Sequence, residues 1–281
     1  MSDTLLEIDH VRKDFVRGGL LSRQRIRAVD DVSFSLPAGR PEIFAIIGES
    51  GSGKSTLASM ILNVAQPSGG HLRFKGEDLA GIRGRSARLR FMAQVQPIFQ
   101  NPFEAFNPLK QLDHYLYMTA RRFVPGLDEA GVIAHADQAL RNVGLSLAEV
   151  KGRYPHELSG GQLQRVAVAR ALIPTPAIIV ADEPVSMVDA SLRMSIVNLF
   201  MKLRDELGIS IIYITHDLAT AYYISDRIII MQQGKVVEAG DARSVLENPQ
   251  HPYSRQLKQA VLLPDTGAPA HPTTNGEASH A

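Results

Sequence analysis

Nine consecutive residues, Gly48-Glu49-Ser50-Gly51-Ser52-Gly53-Lys54-Ser55-Thr56, carry the plainest chemistry in this chain. Gly48, Gly51 and Gly53 let the backbone turn tightly, so that successive N–H groups and a helix N-terminus converge on an anion. The full spacing Gly-x4-Gly-Lys-Ser identifies that anion as the phosphates of a nucleotide. Lys54 reaches the β- and γ-phosphates, and Ser55 places its hydroxyl on Mg²⁺. A glycine-rich turn that merely joins strand to helix would need neither the lysine nor the serine.

Far downstream stands Leu158-Ser159-Gly160-Gly161-Gln162. Ser159 with Gln162 is a capping box, a common way to start a helix. The helix runs through Leu163, Val166, Ala167, Ala169, Arg170 and Leu172 until Pro174 stops it. Two glycines in a first turn are costly for a helix that only needs a cap. They make sense if something approaches the backbone there, and a helix start welcomes an anion. Two anion sites therefore lie far apart in one chain. A third stretch, Ala177 to Glu183, reads as a buried strand ending in two acids, and Ile209 to Ile214 reads as another, followed by Thr215-His216-Asp217. Taken alone, such acids are as readily solvated as catalytic, and a single histidine is more often structural.

These groups need rigid elements to hold them. Ile43 to Ile47 reads as a strand buried on both faces, and Leu57, Ala58, Met60, Ile61 and Leu62 as a mostly buried helix ending before Pro67. Leu5 to Val11 and Ala28 to Leu36 read as strands interrupted by a polar, basic segment from Arg17 to Arg27. Residues from about 104 to 173 follow a helical pattern, and Arg227 to Glu238 a hairpin. Near the end, Pro252, Tyr253, Leu257, Ala260, Val261 and Leu262 form an apolar helical stripe. From Thr266 to Ala281 the composition is that of a disordered tail.

The run Arg153-Tyr154-Pro155-His156-Glu157-Leu158-Ser159-Gly160-Gly161-Gln162-Leu163-Gln164-Arg165 closely resembles the signature region of ABC-transporter ATP-binding subunits, and the likeness extends from about Leu5 to Pro264. It implies an α/β fold: a P-loop NTPase (RecA-like) core of mostly parallel sheet, an N-terminal antiparallel β-subdomain and an inserted helical subdomain. The domain would span residues 1–265, with a tail over 266–281. In that family two cassettes dimerise head to tail, so that Leu158 to Gln162 of one close over ATP held by the phosphate loop of the other. The two anion sites are then halves of different composite sites.

The other roles follow from the same resemblance. Asp182 looks like the carboxylate that holds Mg²⁺ through water, and Glu183 like the base that orients the attacking water. His216 matches the switch histidine that contacts the γ-phosphate and steadies Glu183. Gln100, in Pro97-Ile98-Phe99-Gln100-Asn101-Pro102-Phe103, matches the glutamine that binds Mg²⁺ and senses hydrolysis, and the segment Glu104 to Pro108 should lie near membrane subunits. Val185-Ser186-Met187-Val188-Asp189 resembles the loop that couples the two sites, with Ser186 and Asp189 in their usual places and Met187-Val188 departing from the family's Ala-Leu. Phe15 is the candidate for stacking on adenine, in competition with an ordinary buried strand phenylalanine.

Within the family, Asn248-Pro249-Gln250-His251-Pro252-Tyr253-Ser254-Arg255-Gln256-Leu257 resembles the C-terminal extension of oligopeptide and dipeptide importers, placed at about 241–265. Glu183-Pro184-Val185-Ser186 and the long excursion from Phe15 to Ala28 look like the F-type ATPase of such systems. That implies a sister ATP-binding subunit in a heterodimer (or a homodimer), two permeases, an extracytoplasmic solute-binding protein, and a peripheral place on the cytoplasmic face of the membrane. Importers of oligosaccharides or nickel, and an exporter with separate permeases, are the alternatives.

Composition narrows the remaining classes. The 30 basic and 29 acidic residues leave a net charge of +1, with no excess for binding nucleic acid. No apolar stretch approaches the roughly 18 residues that a membrane helix needs. Met1 is followed by Ser2-Asp3-Thr4, which does not open a signal peptide. With no cysteine there is no thiolate metal site. An ATPase acting on DNA would carry a long coiled coil between its half-motifs, and one acting on ribosomes would usually carry two cassettes. The compact spacing and the single motif set fit neither.

Overall fold

The structure, a computed structural model, describes residues 3–17 and 24–262. The chain opens with a hairpin of β1 (Thr4–Arg17) and β2 (Gln24–Pro37). β3 (Ile43–Ile47) runs into the phosphate loop and α1 (Lys54–Ile61). β4 (Gly69–Phe74) and the short β5 (Glu77–Asp78) follow, then α2 (Arg85–Gln94) and β6 (Val95–Ile98). Four helices come next: α3 (Leu112–Phe123), α4 (Glu129–Asn142), α5 (Leu147–Val150) and α6 (Gly160–Leu172). β7 (Ile178–Asp182), α7 (Ala190–Leu207), β8 (Ser210–Thr215) and α8 (Leu218–Ile224) return the chain to the sheet. β9 (Arg227–Gln232), β10 (Lys235–Asp241), α9 (Ala242–Glu247) and α10 (Pro252–Leu262) complete it.

Two sheets result. One has the order β2-β1-β4-β5 and is antiparallel throughout. The other has the order β10-β9-β3-β8-β7-β6, parallel from β9 to β6, with only β10 antiparallel at its edge. Side chains alternate along a strand, so each parallel strand feeds two layers. Phe44 and Ile46 of β3 join the core shared with the antiparallel sheet and α1, where the rings of Phe34 and Phe44 stack with centroids 4.5 Å apart. Ala45 and Ile47 face α8, α9 and α10 instead. Ile179, Ala181, Ile211 and Tyr213 pack with the helices between α3 and α7.

The N-terminal strands run further than their apolar residues predict. β1 continues to Arg17 and β2 already begins at Gln24, with Phe15 paired to Ile26. Part of the expected polar interruption is therefore strand; residues 18–23 lie outside those described. Ion pairs hold this outer hairpin: Asp14 accepts from Arg25 at 2.5 Å and from Arg27 at 2.9 Å. Both faces are largely exposed there, so no hydrophobic alternation marks the strands.

At the other end, Tyr253 of α10 is buried against β3 and β9 and Leu257 is partly buried beside it, whereas Pro252 is exposed and belongs to no apolar face. The side chains of residues 260–262, and the whole stretch from Thr266 to Ala281, lie outside those described.

Candidate functional site

Parallel strands place all their carboxyl ends on one edge of a sheet, and ligands of such sheets bind in the crevice outside that edge. Here β3 leads into the phosphate loop, β7 into Glu183, β8 into His216, and β6 ends two residues before Gln100. A cleft of about 540 Å³ opens at this edge, lined by Ser50, Gly51, Lys54, Ser55, Thr56, Gln100, Glu183 and His216, with Ala28 and Gly53 on one wall.

The loop closes on itself. The N–H of Ser52 donates to the carbonyl of Glu49 at 3.1 Å, and the carbonyl of Ser52 accepts from Gly234 at 3.0 Å. Lys54, only 6% exposed, donates through Nζ to the carbonyls of Gly48 at 2.7 Å and Glu49 at 2.9 Å. Burial lowers its pKa, and Glu183, Asp182 and Glu49 oppose that shift. Gly53 caps α1 in the left-handed region, at φ 105°, and no side chain caps the helix. A Cβ at Gly53 would sit 2.3 Å from the carbonyl oxygen of Ala28. Glycine is thus required both for the turn and for the close approach of β2. The uncapped first turn of α1 leaves its N–H groups to a ligand.

Across the cleft, Glu183 follows β7 at φ 46°, a left-handed conformation costly for a glutamate. Its N–H donates to the carbonyl of Ile214 at 2.8 Å, which holds the turn in place. Both carboxylate oxygens are engaged: Oε2 accepts from Gln100 Nε2 at 3.2 Å, and Oε1 lies 3.0 Å from His216 Nδ1. Three strand ends thereby converge on one carboxylate. Asp182 has its carboxyl pKa raised by burial and further by the charge of Glu183, while a hydrogen bond with Ser55 and the charge of Lys54 pull it down.

A carboxyl raised by folding makes the protein more stable on the acid side. That stability is lost as pH rises from the ordinary carboxylate range through the raised value. Without nucleotide at pH 7, Asp182→Asn is therefore expected to melt at or above the wild type, with the gap closing as pH is lowered. Thermal melts across that range check it; a variant that melts well below the wild type at pH 7 would contradict the buried-charge reading.

The residues of the signature stand elsewhere. None of Leu158, Ser159, Gly160, Gly161 or Gln162 lines the phosphate-loop cleft. Both halves of the capping box form, with Gln162 N–H donating to Ser159 Oγ at 3.3 Å and Ser159 N–H to Gln162 Oε1 at 3.1 Å. The glycines have a neighbour within the chain that spacing alone does not reveal. A Cβ on Gly161 would meet Leu192 of α7 at 3.0 Å, and one on Gly160 would lie 3.6 Å from the carbonyl of Met187.

The start of α6 thus rests on the loop from Val185 to Asp189. At its other end that loop is tied to the site, since Ser186 Oγ donates to the carbonyl of Glu183 at 2.9 Å. Asp189 is exposed at the start of α7, and in the unusual pair Met187-Val188 the valine is buried while Met187 is 59% exposed. Phe15 is not in the cleft. It is 46% exposed on the outer hairpin with the Lys13 ammonium 5.3 Å from its ring centroid, so it is not a core phenylalanine.

Two site features carry no local signal in the sequence. Ala28 forms a wall through its backbone, which any residue type supplies. Tyr253 Oη accepts from the backbone N–H of Glu49 at 3.0 Å, a contact between the phosphate loop and α10 that only the fold creates.

Fold and site together define an ATP-binding and ATP-hydrolysing cassette. Residues 29–186 match the family model described as ABC transporter, and the chain belongs to that family. Among curated relatives, the oligopeptide transport ATP-binding protein OppF of Bacillus subtilis is 39% identical over 94% of this chain and 85% of its own length. OppF of Escherichia coli is 40% identical over 85% of this chain and 71% of its own length. The dipeptide transport ATP-binding protein DppF of Haemophilus influenzae is 38% identical over 88% of this chain and 74% of its own length.

Among solved structures, the dimeric post-hydrolysis cassette MJ0796 bound to ADP and Pi superposes with TM-score 0.74 at 27% identity, over 85% of this chain and 99% of that one. The Clostridium perfringens protein cbiO1, part of the transporter complex cbiONQ, gives TM-score 0.74 at 25% identity, over 88% of this chain and 92% of that one. No helix among the described residues is long and apolar enough to cross a membrane, and membrane permeases are the partners that membership of this family implies.

Proposed function

We propose that this chain is the F-type ATP-binding subunit of an importer of oligopeptides or dipeptides. It works on the cytoplasmic face of the membrane with a sister cassette, two permeases and an extracytoplasmic solute-binding protein. One observation carries the reading. The likeness to peptide-transport subunits runs over 94% of the chain at 39% identity, and so is not confined to the nucleotide motifs that all cassettes share. On this reading residues 1–265 form the cassette, with its helical part at about 104–173 and an importer-type extension at about 241–265.

The mechanism follows from the residues at the sheet edge. The loop from Gly48 to Thr56 wraps the phosphates with N–H groups, and Lys54 moves its charge from two carbonyls to the β- and γ-phosphates. Ser55, Asp182 and Gln100 offer a hydroxyl, a carboxylate and an amide oxygen, the hard oxygen donors that Mg²⁺ takes. They are too few for an all-protein cage and would hold an ion that keeps part of its water shell. When bound, that ion neutralises charge developing on the phosphates. Glu183 orients the attacking water and accepts its proton, while Gln100 and His216 hold its two oxygens in place. The signature Leu158 to Gln162 completes the site of the partner cassette, and Ser186 and Asp189 pass each site's state across the dimer interface.

Phe99, Phe103 and Leu109, which flank the segment from Glu104 to Pro108, stand exposed at 52%, 47% and 81%. They support a permease contact at that segment. Arg170 of the signature helix reaches the same segment, donating to the carbonyl of Ala105 at 2.9 Å. Purification from native membranes through a tag on this chain tests the reading. Two permeases and a sister cassette should come with it, and the complex should take up labelled peptides. Recovery with exporter-type permeases, or uptake of an oligosaccharide or nickel instead, would overturn the peptide assignment.

A further inference from the structure

Among the described residues, the C-terminal helix meets the phosphate loop at one hydrogen bond. Tyr253 is 4% exposed, in the same buried cluster as Ala45, Ile47, Leu218 and Ile230, and its Oη accepts from the N–H of Glu49 at 3.0 Å. The peptide unit so engaged is Gly48–Glu49, whose carbonyl accepts from Lys54 Nζ at 2.7 Å. One planar group is therefore held at both ends, by Tyr253 on its N–H and by Lys54 on its C=O. Tyr253 is fixed in turn from its own side. The carboxylate of Glu238 in β10 accepts from the N–H groups of Gln250 at 2.8 Å and His251 at 3.2 Å, and Arg255 Nε donates to the carbonyl of Pro249 at 3.0 Å. The N–H of Tyr253 donates to His251 Nδ1 at 3.2 Å.

We infer that Tyr253 is a positioning residue for nucleotide binding: its hydroxyl sets the Gly48–Glu49 peptide, and through it the loop and Lys54, in the orientation that receives the phosphates. The ring fills the core while the hydroxyl serves the loop. Any phenylalanine would pack there, so the hydroxyl is what the loop requires. Coupling of this kind is reciprocal: if the contact favours nucleotide binding, nucleotide must favour the contact. The C-terminal extension is then a place from which nucleotide affinity can be set, away from the catalytic carboxylate. This inference rests on the phosphate-loop reading of residues 48–56 and not on the transported solute.

Tyr253→Phe removes one oxygen and keeps the ring. The full chain carrying it should melt within a degree or two of the wild type and bind ATP about three- to tenfold more weakly, the effect of one net hydrogen bond. In the assembled transporter KM for ATP should rise by a similar factor with kcat little changed, since Glu183 and its partners are untouched. In the wild type, adding ATP should slow amide exchange over residues 252–257, and in the variant that protection should shrink. Equal affinities in wild type and variant, or no change in α10 exchange when the wild type binds ATP, would overturn the inference while leaving the cassette intact. Failure of the wild type itself to bind ATP would instead strike the phosphate-loop reading.

Discussion

Glu183→Gln should bind ATP as the wild type does and lose hydrolysis at this chain's site by roughly 10²–10⁴-fold, the usual contribution of a positioned base. The geometry gives the reason. Glu183 is held in a left-handed conformation with one oxygen on Gln100 and the other on His216, so its placement is prescribed and its charge is the part that chemistry uses. The glutamine keeps the shape and one oxygen to accept from Gln100, and it replaces the basic oxygen facing His216 with an NH2 group. Single-turnover hydrolysis in the assembled transporter, with the sister cassette's site silenced, reads the effect. Turnover close to normal would mean that another group takes the proton.

The second large effect separates the two helix starts proposed to bind anions. Lys54→Ala should abolish ATP binding by the isolated chain, because on the proposed mechanism the ammonium that two carbonyls now hold moves to the phosphates. Ser159→Arg should leave that binding nearly intact, since neither Ser159 nor its neighbours line the cleft, and should block hydrolysis in the assembled pair. Equilibrium binding in dilute protein, followed by hydrolysis in the complex, gives both readings. Equal loss of binding in the two variants would place both helix starts in a single site within one chain.

Much of this was legible before the fold was known, and for physical reasons. Strands buried on both faces, such as Ile43 to Ile47 and Ser210 to Thr215, announce themselves as unbroken apolar runs. The residues just after them sit at the edge where parallel sheets bind ligands, so strand and motif together pointed to this edge as the candidate site. The outer hairpin of β1 and β2 was not legible, because arginine–aspartate pairs and not an apolar face hold it together. Nor was the backing of Gly160 and Gly161 by Met187 and Leu192, which joins the signature to the loop behind Glu183. The bond from Glu49 to Tyr253 spans most of the chain and leaves no periodic trace. Phe15 stands exposed on that outer hairpin, a place that the apolar pattern of β1 does not reveal.

The most direct measurement uses a property of the chain itself, its lack of cysteine. With Ser159→Cys here and one cysteine in the phosphate loop of the partner cassette, a short bifunctional thiol reagent reports whether the two meet across the dimer. In a Glu183→Gln background, Mg²⁺ and ATP should raise the cross-linked fraction severalfold over the nucleotide-free complex, and Lys54→Ala together with the matching change in the partner should abolish the rise. Cross-linking that ignores ATP, or none under any condition, would contradict a nucleotide site shared between two cassettes.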